Sequence, residues 1–354
     1  MREWNVHQRL ISLDALRGLD MLLIIGLDSV LRAAADFFPP PVRGEMLRQL
    51  GHVAWEGLSL YDLIFPVFVL ISGAAMYASQ SRAVEQGRSR GRSLFRLWRR
   101  ACVLVLLGCL VNLDYRWGWH SLRYASVLGL IGLSCAVAGS VALYLRRWWQ
   151  RAAVAVGILL AVGAAQYFGG DMTPSGCVNA RIDVLICPGR LHLGVLDPEG
   201  PLCVVSASAL CLLGMLAGEL LAEGGALLRA SAKLLGCGAG LYLLGMLSGA
   251  CIKNIWTPAF VLSAAGIGYA LLGVFHLLFD GGKLRWVAFP LCVVGCNALC
   301  IYMVTQGLPF EESTLKMFHV IADGQPPLCY ALLYLLLTWY ICWELWRKRL
   351  LVKI

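Results

Sequence analysis

Apolar and polar positions along this chain come in long blocks. Ten apolar runs stand out, at residues 12–32, 61–79, 101–113, 125–145, 152–168, 203–221, 234–250, 259–279, 287–305 and 328–346. Most are long enough to cross a hydrocarbon core of roughly 30 Å. In lipid the backbone must satisfy its own hydrogen bonds, so the runs predict helices. Ten-residue stretches of strict alternation, the mark of a membrane barrel, are absent. The expectation is an all-α polytopic membrane protein of about ten transmembrane helices, with residues 1–354 as a single transmembrane domain. Residues 33–60, 169–202 and 306–327 read as loops. The opening MREWNVHQR lacks a signal-peptide cleavage pattern, so the first run is expected to stay as a helix.

Charge adds orientation. Ten spans put both termini on one side, and that side carries twenty basic residues against eight opposite. The positive-inside rule then makes both termini cytoplasmic. Seven arginines fall in residues 80–100 alone. The formal net charge of +9 is mostly topology and makes no case for nucleic acid. The arginine run reads as an orientation signal touching lipid headgroups, or as a surface for an anionic cytoplasmic ligand such as a coenzyme A phosphate.

The first helix is charged within. Asp14, Arg17, Asp20 and Asp28 share an arc of about 120° on a helical wheel. Charges inside a span face the bundle interior or a watery cavity. A structural ion-paired set explains the first three but not Asp28, two turns further along.

Composition agrees: 59% of residues are hydrophobic, 14% are charged, and mean hydropathy is +0.71, which excludes an ordinary soluble domain. Most of the fourteen cysteines lie in apolar runs and act as small core residues. Cys177 and Cys187 share one polar loop and form a candidate disulfide if that loop faces an oxidising compartment. There is no CxxC, no Walker loop, no GxSxG, no HExxH and no metal-ligand spacing, so no metal is expected.

The candidate chemistry gathers on the outer side. GHVAWEGLSLYDLIFP, residues 51–66, holds His52, Glu56 and Asp62 just before an apolar run. A neutral imidazole there, with a reference pKa of about 6.5, can take a proton from an attacking group. An interfacial histidine without chemistry is the plain alternative. A short loop adds Asp114, Arg116, His120 and Arg123. Further along lie Asp197, Glu199, Lys253, Asn254 and Asn297. Such a set suits a conduit through a helical bundle with chemistry or binding at its outer mouth.

Several segments together resemble the heparan-α-glucosaminide N-acetyltransferase family and its bacterial relatives. They are RLISLDALRGLDMLLIIGLD (9–28), HVAWEGLSLYDLIFPVFVLISG (52–73), RYASVLGLIGL (123–133), LDPEG (196–200), KNIWTPAFVL (253–262) and GCNALCIYM (295–303), in the family's order. The resemblance implies a membrane acyltransferase that moves an acetyl group from cytoplasmic acetyl-CoA to an amino sugar on the other side. Its active histidine maps to His52, as general base or transient acetyl carrier. Asp28 stands where animal members carry asparagine, and is the candidate to orient the imidazole or hold the incoming ammonium. Asp62, Arg123, Lys253, Asn254 and Asn297 are candidate substrate-binding residues, with Lys253, Asn254 and Asn297 as possible oxyanion donors. Arg17, Arg99 and Arg100 are candidates for the coenzyme's phosphates. The implied partners are coenzyme A, an amino sugar or terminal glucosamine of a glycan, the lipid bilayer and a second copy as a homodimer. The implied location is a bacterial inner membrane. Gly129, Leu130 and Ile252 depart from the family's pattern. These changes bear on the acceptor and acyl donor and leave His52 intact. The competing expectations are a sugar transporter, which favours repeats and broken helices, and a scaffold, which leaves His52 and Asp28 unexplained.

Overall fold

A computed structural model describes residues 10–113, 122–187, 189–223, 226–282, 284–307, 310–321 and 324–350. Asp114, Arg116 and His120 lie outside the described residues, as do Arg2, Arg9, Lys283 and Lys353 from the charge count.

Every one of the ten apolar runs is helical. The first is bent: α1 (Ile11–Leu22) passes through a widened π-type turn, Leu23–Leu27, into α2 (Asp28–Ala34). Gly26 has φ 134° in that turn, a conformation L side chains avoid, and a Cβ there would meet the Tyr334 ring at 2.9 Å. Next come α3 (Pro40–Gln49), α4 (Leu60–Glu85), α5 (Arg90–Val111), α6 (Val127–Tyr144), α7 (Trp148–Phe168) and α8 (Val178–Ile186). They are followed by α9 (Pro201–Ala222), α10 (Leu227–Leu247), α11 (Pro258–Phe275), α12 (Arg285–Cys296), α13 (Ala298–Gly307), α14 (Phe310–Ile321) and α15 (Pro327–Arg347).

Among the described residues, seven helices are long and apolar enough to span a membrane, and the bent pair α12–α13 makes eight. The chain is an integral membrane protein of helices. Of the ten runs, the first and third fall outside that set by length and composition. α1 is only 12 residues long and carries Asp14, Arg17 and Asp20, and α5 opens with five arginines over residues 90–100.

Three helices stand where the sequence reads as loop. In α3 the prolines occupy the first turn, where a missing N–H costs nothing. α8 and α14 are short helices in the two other polar segments. α8 removes the candidate disulfide. Cys177 and Cys187 sit at its opposite ends, about 15 Å apart at the helical rise, whereas disulfide Cα atoms stand within about 7 Å. Both thiols are free.

Small residues let the helices approach, as in membrane bundles generally. A Cβ on Gly73 would lie 2.2 Å from the Cys211 carbonyl oxygen, and one on Gly214 would lie 2.1 Å from that of Leu70, so α4 and α9 touch backbone to backbone. Gly18 and Gly295 do the same for α1 and α12. A single apolar core joins α4, α6, α9 and α11.

Candidate active site

The N-terminus of α4 builds the site. Ser59 caps the helix and Asp62 closes the capping box three residues on. Asp62 is buried, its side chain 1% exposed. Its Oδ2 accepts from the backbone N–H groups of Val53 at 3.2 Å and Ser59 at 3.3 Å. Its Oδ1 lies 2.8 Å from His52 Nδ1 and 2.9 Å from Lys253 Nζ, and those two nitrogens are 2.8 Å apart. The carboxylate thus bends the preceding loop back and fixes the imidazole by one nitrogen. The His52 side chain is 56% exposed and packs its ring 4.9 Å from Tyr61.

Lys253 arrives from far along the chain. Glu56 and Ile252 form an antiparallel bridge, and Gly57 N–H donates to the Cys251 carbonyl at 2.8 Å. Thr257 caps α11 and also accepts from Ile252 N–H at 3.0 Å. Between them the chain makes a tight turn at Lys253–Ile255, ending on Trp256 at φ 50°. That left-handed conformation is strained for an aromatic residue and common near functional sites. Trp256 is buried edge-on against Phe65, one turn below Asp62.

Asp28 reaches this trio only through Tyr61. The Tyr61 hydroxyl donates to Asp28 Oδ2 at 3.4 Å, and Arg32 lies 3.7 Å from the same oxygen. It is Asp62, not Asp28, that touches the imidazole. Burial, and then the charge of Asp28, pushes the Glu311 carboxyl of α14 up.

A second network flanks the site. Arg123 donates from Nε to Asp197 Oδ2 at 2.6 Å and also holds Asp197 Oδ1 and Glu199 Oε2. Asp197 N–H donates to Asp183 Oδ2 at 2.9 Å. One guanidinium cannot neutralise two carboxylates. Burial works against a charge on Asp197, yet the hydrogen bonds and charge of Arg123 outweigh it and hold Asp197 below its usual range. Burial, with help from Asp197, pushes Glu199 up to about 8. Burial also lifts Asp183 to about 6. Burial and then Arg123 lower His192.

Between these networks and the arginine-rich end lies a cavity of about 670 Å³. Along α4 its wall runs from Phe65 to Ala83, about 27 Å at the helical rise of ~1.5 Å per residue. Arg82, Arg88, Arg96, Arg99 and Arg100 line one end. Phe65, Val127 and Tyr302 line the other. Arg17 lies along the wall, paired with Asp14 at 3.5 Å. Of the sequence candidates, Arg17, Arg99 and Arg100 share this one cavity, while His52, Asp62 and Lys253 meet one turn beyond Phe65.

Two candidates stand apart. Asn254 follows Lys253 in the turn and gives its carbonyl to Cys203 Sγ at 3.8 Å. Asn297 sits in the 60° break between α12 and α13, 1% exposed, with neither amide atom hydrogen-bonded among the described residues. Its neighbours Cys296 and Ala298 line the cavity. Sequence reasoning missed Ser59, Tyr61 and Glu311. The S-x-x-D spacing of Ser59 and Asp62 was the available signal for the first, since it marks a capped helix start.

Fold and site together define a helical integral membrane protein with a histidine–carboxylate–lysine trio one helical turn beyond a cavity whose other end is lined by arginines. Comparison with known proteins gives a consistent answer. The chain is 24% identical over 363 residues to human heparan-alpha-glucosaminide N-acetyltransferase, covering 83% of this chain and 52% of that protein. It is 22% identical over 417 residues to the mouse protein of the same name, covering 98% of this chain and 60% of that one. The chain is thus similar in sequence to heparan-alpha-glucosaminide N-acetyltransferases. It spans a little over half the length of these curated relatives. No family model matches it.

Proposed function

We propose that this chain is a membrane-embedded acyltransferase that takes an acetyl group from cytoplasmic acetyl-CoA to an amino sugar of the glucosamine type on the extracytoplasmic side. The observation that carries the reading is the cavity. It runs from a cluster of guanidinium groups to Phe65, one helical turn along α4 from Asp62 of the His52–Asp62–Lys253 trio. The names of the two relatives support the reaction class.

The residues fit the donor. Arginines bind phosphates through planar, always-charged forks, and Arg82, Arg96, Arg99, Arg100 and Arg17 supply them along the cavity. The apolar stretch beyond suits a long uncharged arm. The coenzyme brings an activated acetyl thioester. In the tautomer where Asp62 accepts from His52 Nδ1–H, Lys253 pairs with Asp62 rather than with Nδ1, and Nε2 is left bare as a base or nucleophile requires. His52 then removes the acceptor's ammonium proton or carries the acetyl group in transit. Lys253 is the candidate donor for the oxyanion, with Asn254 and Asn297 as further candidates. Arg123, Asp28 and Asp62 bind or orient the acceptor side. The chain works as one transmembrane domain, with both termini cytoplasmic, in a bacterial inner membrane.

The test is transfer of labelled acetyl from acetyl-CoA to glucosamine by purified protein, wild type beside His52→Ala. Product from the wild type and none from the variant, with coenzyme binding kept in both, is the expected result. Equal transfer by both would remove His52 from the mechanism. A second reading, an amino-sugar transporter, is favoured by the broken pair α12–α13 at Asn297. Failure to bind coenzyme A would select it.

A further inference from the structure

Lys253 carries a primary amine into the centre of the candidate site. Its Nζ lies 2.8 Å from His52 Nδ1 and 2.9 Å from Asp62 Oδ1. This is the functional group that the proposed acceptor offers. The bridge between Glu56 and Ile252 holds it there, so its encounter with an acetyl group at His52 is intramolecular. Well-oriented intramolecular nucleophiles act at effective concentrations on the order of 10⁵ M or more. The ion pair with Asp62 restrains it, because an ammonium has no lone pair with which to attack.

We infer that Lys253 is a self-acetylation site, modified from the acetyl thioester when no amino sugar occupies the site. The inference rests on the acyltransferase reading above. In the step, the Lys253 ammonium gives one proton to water. The freed amine attacks the acetyl carbonyl carbon and a C–N bond forms. The bond from that carbon to sulfur, or to His52 Nε2 if the acetyl group has moved there, breaks with its electron pair leaving on the carrier. The second amine proton goes to that carrier. The products are an N-acetyl lysine and a free thiol, and no oxidant or reductant is needed. The amide is uncharged, so Asp62 loses its counter-ion and the trio is disarmed. Amino sugar competes for the same acetyl group and protects the lysine.

The experiment incubates the purified full chain with isotope-labelled acetyl-CoA, with and without glucosamine, and quantifies each lysine peptide by mass spectrometry. Lys316 and Lys233 serve as references: their side chains are 73% and 49% exposed against 21% for Lys253. Acetylation from solution favours the exposed pair. Directed transfer is expected to label Lys253 at least about tenfold faster than Lys316, to be suppressed by glucosamine, and to fall to the Lys316 rate in His52→Ala. Labelling of Lys253 no faster than Lys316, or undiminished by glucosamine in the wild type, overturns the inference without reliance on any variant. Acetylated sugar with unlabelled Lys253 overturns this inference alone. Neither product overturns both readings.

Discussion

His52 Nδ1 and Asp62 Oδ1 lie 2.8 Å apart, and the carboxylate that fixes the imidazole is also the capping-box residue of α4. Catalytic geometry and helix initiation thus depend on one side chain. Asn at this position keeps the shape, but its NH2 cannot accept from the Val53 and Ser59 N–H groups and its amide has no charge to pair with Lys253. Asp62→Asn is expected to lower kcat for acetyl transfer roughly 10²–10³-fold, the range of a lost general base, while KM for acetyl-CoA changes little. Steady-state kinetics on both substrates checks this. A change confined to KM would make Asp62 a binding residue only.

Arg123 is 11% exposed and holds two carboxylates. Arg123→Met leaves them buried without a counter-charge, which costs about 3–5 kcal/mol. Arg123→Lys offers a point charge without the bidentate fork, so it should recover only part of that loss. Thermal unfolding of the detergent-solubilised protein reports both.

The same network gives stability a pH dependence. Burial foremost lifts the Glu199 carboxyl from its ordinary 4.5 to about 8. A group that holds its proton more tightly folded than unfolded contributes fully below its unfolded pKa. That contribution is lost as pH rises through the folded one. The window for Glu199 therefore runs from 4.5 to about 8, and that for Asp183 from 3.8 to about 6. Melting temperature should fall between about pH 4.5 and pH 8, and Glu199→Gln should flatten that fall. A melting temperature that rises over this range would reverse the assignment.

Helix contact makes a simpler prediction. Gly73→Ala drives a methyl group to 2.2 Å from the Cys211 carbonyl oxygen, whereas a Cβ on Gly157 meets nothing within 4 Å. The first substitution should destabilise by about 1–3 kcal/mol, as overpacking does. The second should be neutral or slightly stabilising. Paired melting curves decide.

The helices were legible because apolar blocks separated by charge leave few alternatives in lipid. α3 was not, because its prolines read as loop signals and its charges are satisfied locally, Arg48 by Glu45 and Arg43 by Asp36. The break at Asn297 was hidden in GCNALC, an apolar stretch with no breaker beyond one glycine. His52, Asp62, Arg123 and Lys253 each stood out as polar groups beside apolar runs. Their pairing did not. His52 and Lys253 are 201 residues apart, and the short pairing of Glu56 and Gly57 with Cys251 and Ile252 brings them together. Asp28 looked like the partner because it stands in the charged first helix, yet the capping geometry of α4 gave that contact to Asp62.

The central claim is transfer from one face of the membrane to the other, through the cavity and onto an acceptor beside His52. The most direct measurement uses sealed vesicles holding oriented protein, with labelled acetyl-CoA supplied to the arginine-lined face and glucosamine to the His52 face. The account predicts N-acetylglucosamine only in that arrangement, and none with His52→Ala. Equal product when both substrates are confined to one face, or product independent of His52, would contradict it.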